Sequence, residues 1–366
     1  MNRNNIYKFI FAGGGTGGHL FPAVAVAEQI RLLKPEADIL FVGTKEKIEA
    51  RVVPKLGFKF KTIWISGFSR QFNLRNLIFP IKLIVSMFQS LIINIKFNPK
   101  VTVGSGAYVS GPVAWGSSIM GAKIVLMEQN SYPGVTNRLL EKRAEQIYLC
   151  FEDSKQYFRK QDKLKVIGNP IRTDLKLREK DEAIKTFKLN PAKRTLLALG
   201  GSLGAASLNH VLSEKLNELT KAGLQIIWQT GEIYFDVYKK FNSEHVKVLS
   251  FIEEMSEAYS VADLIIARAG ATTIAEVSAL GLPVVFVPSK NVAANHQLMN
   301  AKSLINEDAA VLIKDDDLRE KLVDTVIELI NNTDRLEQLS KNIKKLSRPN
   351  AAKEIAEEVI KLAELN

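Results

Sequence analysis

Several short stretches of this 366-residue chain carry groups that could do chemistry. The first is Gly13-Gly14-Gly15-Thr16-Gly17-Gly18-His19. Glycines let backbone N–H groups approach a ligand closely, and a helix starting there adds partial positive charge, an arrangement suited to phosphate. The loop lacks the lysine of a P-loop. Where a dinucleotide fold keeps its ribose acid, at the end of the second strand, the chain reads Gly43-Thr44. His19 stands at the helix mouth, where an imidazole can take a proton from a hydroxyl. The plainer uses are a structural hydrogen bond for His19 and strand–helix packing for the glycines.

Two more stretches follow strand ends: Gly104-Ser105-Gly106-Ala107-Tyr108-Val109-Ser110-Gly111-Pro112, and Glu128-Gln129-Asn130-Ser131 with Asn137 beyond it. Carboxylate, amide and hydroxyl groups suit sugar recognition, although turn chemistry alone also uses these residue types. The second half repeats the theme. Gly200-Gly201-Ser202-Leu203-Gly204-Ala205 precedes a helix and could hold a diphosphate, with Arg172 as an added charge. Arg268-Ala269-Gly270-Ala271-Thr272-Thr273-Ile274-Ala275-Glu276 brings a carboxylate onto a helix, fit to accept ribose hydroxyls or merely to be solvated. Asn295-His296-Gln297, with Asn300, suits sugar hydroxyls or a helix cap.

The elements that position these stretches read as strand, glycine turn, helix, repeated. Strands are expected at Lys8–Ala12, Ile39–Val42, Lys100–Val103 and Lys123–Met127, with a helix at Pro22–Leu33. The pattern restarts with strands at Thr195–Leu199, Gln225–Gln229, Val246–Leu249, Leu264–Ala267 and Val284–Val287, a helix at Ser207–Leu219 and a final amphipathic helix at Asn350–Leu365. Such alternation predicts an α/β protein of two Rossmann-like doubly wound halves. The hinge is expected at Gly168-Asn169-Pro170-Ile171, so that residues 1–170 plus 350–366 form one domain and 171–349 the other.

Composition is that of an ordinary globular protein, with 46% apolar and 24% charged residues and a single cysteine, Cys150, which excludes an intramolecular disulfide. The N-terminus reads as a first strand, not as a signal peptide. The net charge of +11 is unevenly spread: residues 1–171 hold 24 Lys/Arg against 11 Asp/Glu, and no acid lies between Glu49 and Glu128. That imbalance favours an anionic partner. Nucleic acid has only this charge in its favour, without a reader motif, and is not expected. Phe68–Lys82 mixes aromatics with cations. Phe72, Leu74, Arg75, Leu77, Ile78, Phe79 and Lys82 are expected to meet an anionic bilayer surface; the ordinary alternative is a core helix with a basic outer face. Pro80, Lys82, Gln89, Asn94 and Lys96 interrupt the apolar run from Leu77 to Phe97, which argues against a transmembrane span.

The glycine loop ending in His19, the Gly104–Pro112 segment, the Glu128 run, the second glycine loop, Gly270–Glu276 and the His296-Gln297 pair resemble, in order and spacing, the MurG family. These are the UDP-N-acetylglucosamine–N-acetylmuramyl-(pentapeptide) pyrophosphoryl-undecaprenol N-acetylglucosamine transferases, and the likeness spans nearly the whole chain. It implies a GT-B fold, with two Rossmann-like domains facing across a cleft and the C-terminal helix returning to the first. It implies an inverting transfer of N-acetylglucosamine from UDP-GlcNAc to a lipid-linked muramyl-pentapeptide, by a peripheral protein at the cytoplasmic face of the inner membrane. The donor's uracil is then expected near Ile252, its ribose on Glu276, its diphosphate on Ser202 with Arg172 close, and its sugar near Gln297, His296, Ala271 and Thr272. Thr16, Gly17, Gly18 and Asn130 are expected to reach the donor from the first domain. The acceptor is expected on Gly14, Gly15, Tyr108 and Asn137. His19 is the expected base, with Glu128 second. Leu203 departs from the family pattern, where glutamine is common.

No cofactor is expected. No Asp-x-Asp ends a strand, and Asp315-Asp316-Asp317 reads as a helix cap, so no protein-bound metal is expected either. The nearest rivals are a UDP-GlcNAc 2-epimerase, a diacylglycerol glucosyltransferase and a non-catalytic nucleotide-sugar-binding subunit. The epimerase would leave the acid-free basic stretch without a use. The sequence leaves the oligomeric state open.

Overall fold

The computed structural model describes residues 6–67, 77–290 and 296–365. The chain forms two compact units, Met1–Thr173 with Arg348–Asn366, and Asp174–Ser347.

The first unit runs β1 (Lys8–Ala12), α1 (Gly17–Leu33), β2 (Asp38–Gly43), α2 (Ile48–Lys55), β3 (Lys59–Thr62), α3 (Phe79–Phe97), β4 (Val101–Gly104), α4 (Ala107–Ile119), β5 (Lys123–Glu128), α5 (Val135–Leu140), β6 (Ala144–Leu149) and β7 (Leu164–Val166). Its sheet has the order β3-β2-β1-β4-β5-β6-β7, every pairing parallel. β1 and β4 are apolar and buried on both faces, as interior strands of a parallel sheet must be. β3 lies at the edge and exposes Lys59 and Lys61, charges that discourage further pairing. Its mixed polarity leaves no apolar run from which to expect a strand, and β6 and β7 are likewise not among the expected strands.

The second unit runs α6 (Lys180–Phe187), β8 (Thr195–Leu199), α7 (Ala206–Lys221), β9 (Gln225–Gln229), α8 (Glu232–Tyr238), β10 (Val246–Leu249), α9 (Met255–Val261), β11 (Leu264–Ala267), α10 (Ala271–Leu280), β12 (Val284–Phe286), α11 (His296–Asn306), β13 (Val311–Leu312), α12 (Leu318–Asn331) and α13 (Thr333–Lys345). Its sheet, β10-β9-β8-β11-β12-β13, is again parallel. Both sheets therefore reverse strand order beside their first strand, at β1/β4 and at β8/β11. Ligands bind at such switch points, outside the carboxyl ends of the strands.

The last helix, α14 (Ala351–Glu364), belongs to the first unit. Ile355, Val359 and Ile360 join the core that β1 and α1 build, and burial of each contributes roughly 1.5–3 kcal/mol. Glu358 accepts hydrogen bonds from the Tyr148 hydroxyl at 2.8 Å and from the Lys165 ammonium at 2.5 Å.

α3 is built the other way round. Its buried face is polar, with Ser86, Ser90 and Asn94 against α4, where Ser117 Oγ donates to Asn94 Oδ1 at 2.6 Å. Its outer face carries Ile81, Ile84, Phe88, Ile92 and Ile95, each more than half exposed. Among the described residues it is the one helix long and apolar enough to cross a membrane. The alternative of a core helix with a basic outer face does not fit α3, because the inner surface offered by α4 is lined with Gly116 and Ser117 and receives small polar groups. Of the residues expected at the bilayer, Phe72, Leu74 and Arg75 lie outside the described residues. Leu77 and Ile78 are exposed, whereas Phe79 is half-buried and Lys82 is tied to Ser66 Oγ at 3.1 Å beside the Trp64 ring.

Candidate active site

Parallel register brings the ends of β1, β4 and β5 side by side, with Ala12 opposite Gly104 and Gly104 opposite Leu126. The loops that follow these strands carry the first group of functional residues. α1 begins at Gly17, more than a turn earlier than the apolar pattern indicates, so His19 sits in its first turn. Thr16 occupies the N-cap with extended backbone, but its hydroxyl makes no cap bond and the first turn holds no acid. The leading amides of a helix have no intrahelical partner, and the Thr16 side chain does not cap them here.

His19 is held from behind. Its Nδ1 lies 2.9 Å from the Ser105 carbonyl oxygen and 3.1 Å from Gln129 Oε1, and Ser105 Oγ donates to the His19 carbonyl at 2.8 Å. A carbonyl oxygen can only accept, so Nδ1 carries the hydrogen and Nε2 of the neutral ring presents a lone pair. That is the tautomer a general base needs. Gln129 is buried, and its Nε2 has no partner among the described residues.

Glu128 is also buried, and both its oxygens are engaged. Oε1 accepts from the Asn130 amide N–H at 3.0 Å; Oε2 accepts from Gly134 N at 2.9 Å and Asn137 Nδ2 at 2.9 Å. The carboxylate shapes the loop that carries Asn130 and Asn137. Ser154 Oγ donates to the Asn130 carbonyl at 3.0 Å and anchors the same loop.

Beneath the first glycine turn lies a group the sequence reading passed over. Glu49, at the start of α2, is fully buried and accepts from Gly15 N at 2.8 Å, Thr44 N at 3.0 Å and Thr44 Oγ1 at 2.8 Å. A side chain on Gly14 would put its Cβ 2.4 Å from the Glu49 carboxyl carbon, and one on Gly43 would sit 2.5 Å from Glu49 Cγ. Tyr108, on α4, lies over Gly15, where a Cβ would stand 3.7 Å from its hydroxyl. Burial and then the Glu49 charge push the Tyr108 hydroxyl above the usual tyrosine value, partly offset by the Thr44 hydroxyl, so it remains a donor. Gly14, Gly15, Thr16, Gly17, Gly18, His19, Tyr108, Glu128, Asn130 and Asn137 thus gather on one edge of the first unit. Arg172 belongs to this unit too, with its guanidinium 5.7 Å from the Phe21 ring centre on α1, and not to the second unit where the sequence reading put it. The Phe21 face offers the guanidinium a cation–π seat.

In the second unit the turn after β8 leads into α7, whose N-cap residue Ala205 makes no side-chain cap bond. The turn packs backbone to backbone: a Cβ on Gly204 would lie 2.1 Å from the Thr230 carbonyl oxygen. Gln229 ties this turn to the loop after β10, accepting from Ile252 N at 2.9 Å and donating to the Gly201 carbonyl at 3.2 Å. Ser202 is half-buried and Leu203 exposed. Ala271 and Thr272 open α10, and Glu276 follows on the same helix. Glu276 is buried, not solvated, and accepts from the Tyr259 hydroxyl at 2.7 Å. Arg268, at the end of β11, donates to Asp315 Oδ1 at 2.7 Å and to the Val287 carbonyl at 2.8 Å. Asp315 is therefore an ion-pair partner of the core edge. His296 and Gln297 begin α11, and Gln297 Oε1 accepts from Ser289 N at 2.9 Å. Asn295 lies outside the described residues. Among the described residues no three His, Cys, Asp or Glu side chains gather as a metal site would require.

Residues 9–149 match the glycosyltransferase family 28 N-terminal domain, and residues 195–355 match its C-terminal domain. The chain is 44% identical to the UDP-N-acetylglucosamine–N-acetylmuramyl-(pentapeptide) pyrophosphoryl-undecaprenol N-acetylglucosamine transferase of Flavobacterium psychrophilum, covering 98% of each chain. It is 41% identical to the enzyme of the same name from Cytophaga hutchinsonii, over 99% of this chain and 98% of that one. Among solved structures it resembles Acinetobacter baumannii MurG, with 26% identity, a TM-score of 0.72 and coverage of 97% and 99%. A Listeria monocytogenes UDP-N-acetylglucosamine 2-epimerase structure, at 11% identity, TM-score 0.68 and coverage of 95% and 94%, shares the fold alone.

Proposed function

Because the chain belongs to the UDP-N-acetylglucosamine–N-acetylmuramyl-(pentapeptide) pyrophosphoryl-undecaprenol N-acetylglucosamine transferases, a GT-B family, we propose that it moves N-acetylglucosamine from UDP-GlcNAc to the C4 hydroxyl of lipid-linked muramyl-pentapeptide. The reaction is one displacement with inversion. The acceptor oxygen forms a bond to the donor's anomeric carbon as the bond to UDP breaks, and His19 Nε2 takes the hydroxyl proton. The observation that carries this reading is the pair of contacts from His19 Nδ1 to the Ser105 carbonyl and Gln129 Oε1, which assigns the hydrogen to Nδ1 and leaves Nε2 as the acceptor. Glu128, with both oxygens already accepting, is the weaker base and serves to hold Asn130 and Asn137 toward substrate.

The second unit takes the donor: Ser202 and the start of α7 meet the diphosphate, Ile252 the uracil, Glu276 the ribose, and Ala271, Thr272, His296 and Gln297 the sugar. Charge developing on the leaving UDP is stabilised by backbone amides and helix N-termini, the kind of group whose removal costs roughly 10²–10³ in rate. The first unit takes the acceptor along Gly14, Gly15, Tyr108 and Asn137, and Thr16, Gly17, Gly18 and Asn130 are the residues it offers the donor. The exposed apolar stripe of α3, in a unit rich in Lys and Arg, supports seating on the anionic cytoplasmic face of the cell membrane, where a lipid-linked acceptor resides.

Radiolabelled UDP-GlcNAc incubated with a short-chain lipid-linked muramyl-pentapeptide analogue tests the activity; label that stays with the nucleotide sugar overturns it. Flotation with vesicles tests the seating. Binding rises with anionic lipid and is lost in Phe88→Glu/Ile92→Glu; binding indifferent to both defeats that part of the proposal.

A further inference from the structure

Glu49 is a carboxylate buried completely, at 0% exposure, and its hydrogen-bond donors are two amides and a hydroxyl, all neutral. Removing a charge from water is costly unless hydrogen bonds replace the lost hydration. The chain makes unusual room for it: the side chain fills space that a Cβ on either Gly14 or Gly43 would occupy. Its donors come from the two turns that flank the end of β1's neighbour and β1 itself, the turn before α1 and the turn before α2. Tyr108 covers the same turn from above, near enough to feel the Glu49 charge.

We propose that Glu49 is a positioning residue for the acceptor: an anionic brace that locks the first glycine turn, Thr44 and Tyr108 into one surface. By occupying Gly15 N–H it takes that donor away from any ligand. Its negative charge behind the turn also disfavours a phosphate seated deep at Gly14–Gly15. The acceptor's phosphates are thereby kept on the outer surface of the turn at Gly14 and Gly15, beside Tyr108. The inference rests on the acceptor lying on the first unit.

The test uses Glu49→Gln, which keeps the shape but confronts one of the three donors with an amide NH₂, and Thr44→Val, which removes only the hydroxyl donor. Tyr108→Phe, which leaves Glu49 and its three donors in place, is measured alongside. Glu49→Gln raises the acceptor KM about tenfold and Thr44→Val about threefold, the range expected when a charge-assisted bond is lost. UDP-GlcNAc affinity, read by calorimetry on the full chain, stays within about twofold because no donor contact has changed. An unchanged acceptor KM in folded Glu49→Gln, with a raised KM in Tyr108→Phe, overturns the role of Glu49. Wild-type acceptor KM in all three variants overturns the acceptor's assignment to this unit instead. Equal loss of donor affinity and acceptor KM with a lowered unfolding midpoint marks a general stability role and also overturns the proposal. Should Glu49→Gln fail to fold, Thr44→Val decides alone: a raised acceptor KM upholds the brace, and an unchanged one rejects it.

Discussion

The two glycine turns of this chain share a place in their sheets and differ in how they are held. The turn before α1 is fastened by side chains: Glu49 from below, Ser105 and Gln129 behind His19, Tyr108 above. The turn before α7 is fastened largely by backbone, with Gly204 against the Thr230 carbonyl and Gly231 against Gly204, and by one neutral side chain, Gln229, on the Gly201 carbonyl. A turn surrounded by ionisable and hydrogen-bonding side chains can move a proton. A turn of packed peptide groups can only present amides to an anion. The contrast fits the proposed division of labour: proton transfer at the first turn, leaving-group stabilisation at the second.

The largest effect expected is at the first turn. His19→Ala lowers kcat by about 10²–10⁴, the usual worth of a general base, while UDP-GlcNAc affinity holds. Steady-state kinetics with calorimetry check this, and a near-normal kcat removes the base from His19 and the contrast with it. Next comes Gly204→Ala. Its Cβ would meet a carbonyl oxygen in a backbone conformation of φ +78°, so the turn must open. About 1–3 kcal/mol of stability is lost, and donor affinity falls at least as far as the turn is displaced. Denaturant unfolding and donor titration measure both. Unchanged donor affinity would show that the second turn does not serve the diphosphate. The smallest effect belongs to Leu203→Gln. The side chain is exposed, so stability moves by no more than about 0.5 kcal/mol. A polar contact regained with the donor lowers its KM by about two- to tenfold; no change means that Leu203 points away from the nucleotide.

Much of this was legible because buried parallel strands advertise themselves. Runs such as residues 9–12 and 196–199, apolar throughout and followed by glycine, fall within the observed strands. β3 was not legible, since an edge strand reading Lys-Phe-Lys-Thr has no apolar run, and neither was the two-residue β13. His19 could be read from its place after five glycines. Glu49 could not, because a lone glutamate in the first turn of an amphipathic helix looks solvated; only the space opened by Gly14 and Gly43 reveals it. Gln129 lay inside a recognised motif, yet its service to His19 needs two strand ends in parallel register before it exists. α3 defeated the usual inside-out rule, since its apolar residues face outward and its small polar residues face α4.

The return of α14 to the first unit has a consequence for how the nascent chain matures. Side chains of Ala351, Ile355, Ala356, Val359, Ile360 and Ala363 complete the core against α1. A ribosome therefore finishes the second unit, at Ser347, before it has supplied the last piece of the first. Until α14 is made, the apolar flank of α1 lacks its cover, and the half of the molecule translated earliest is the half completed last.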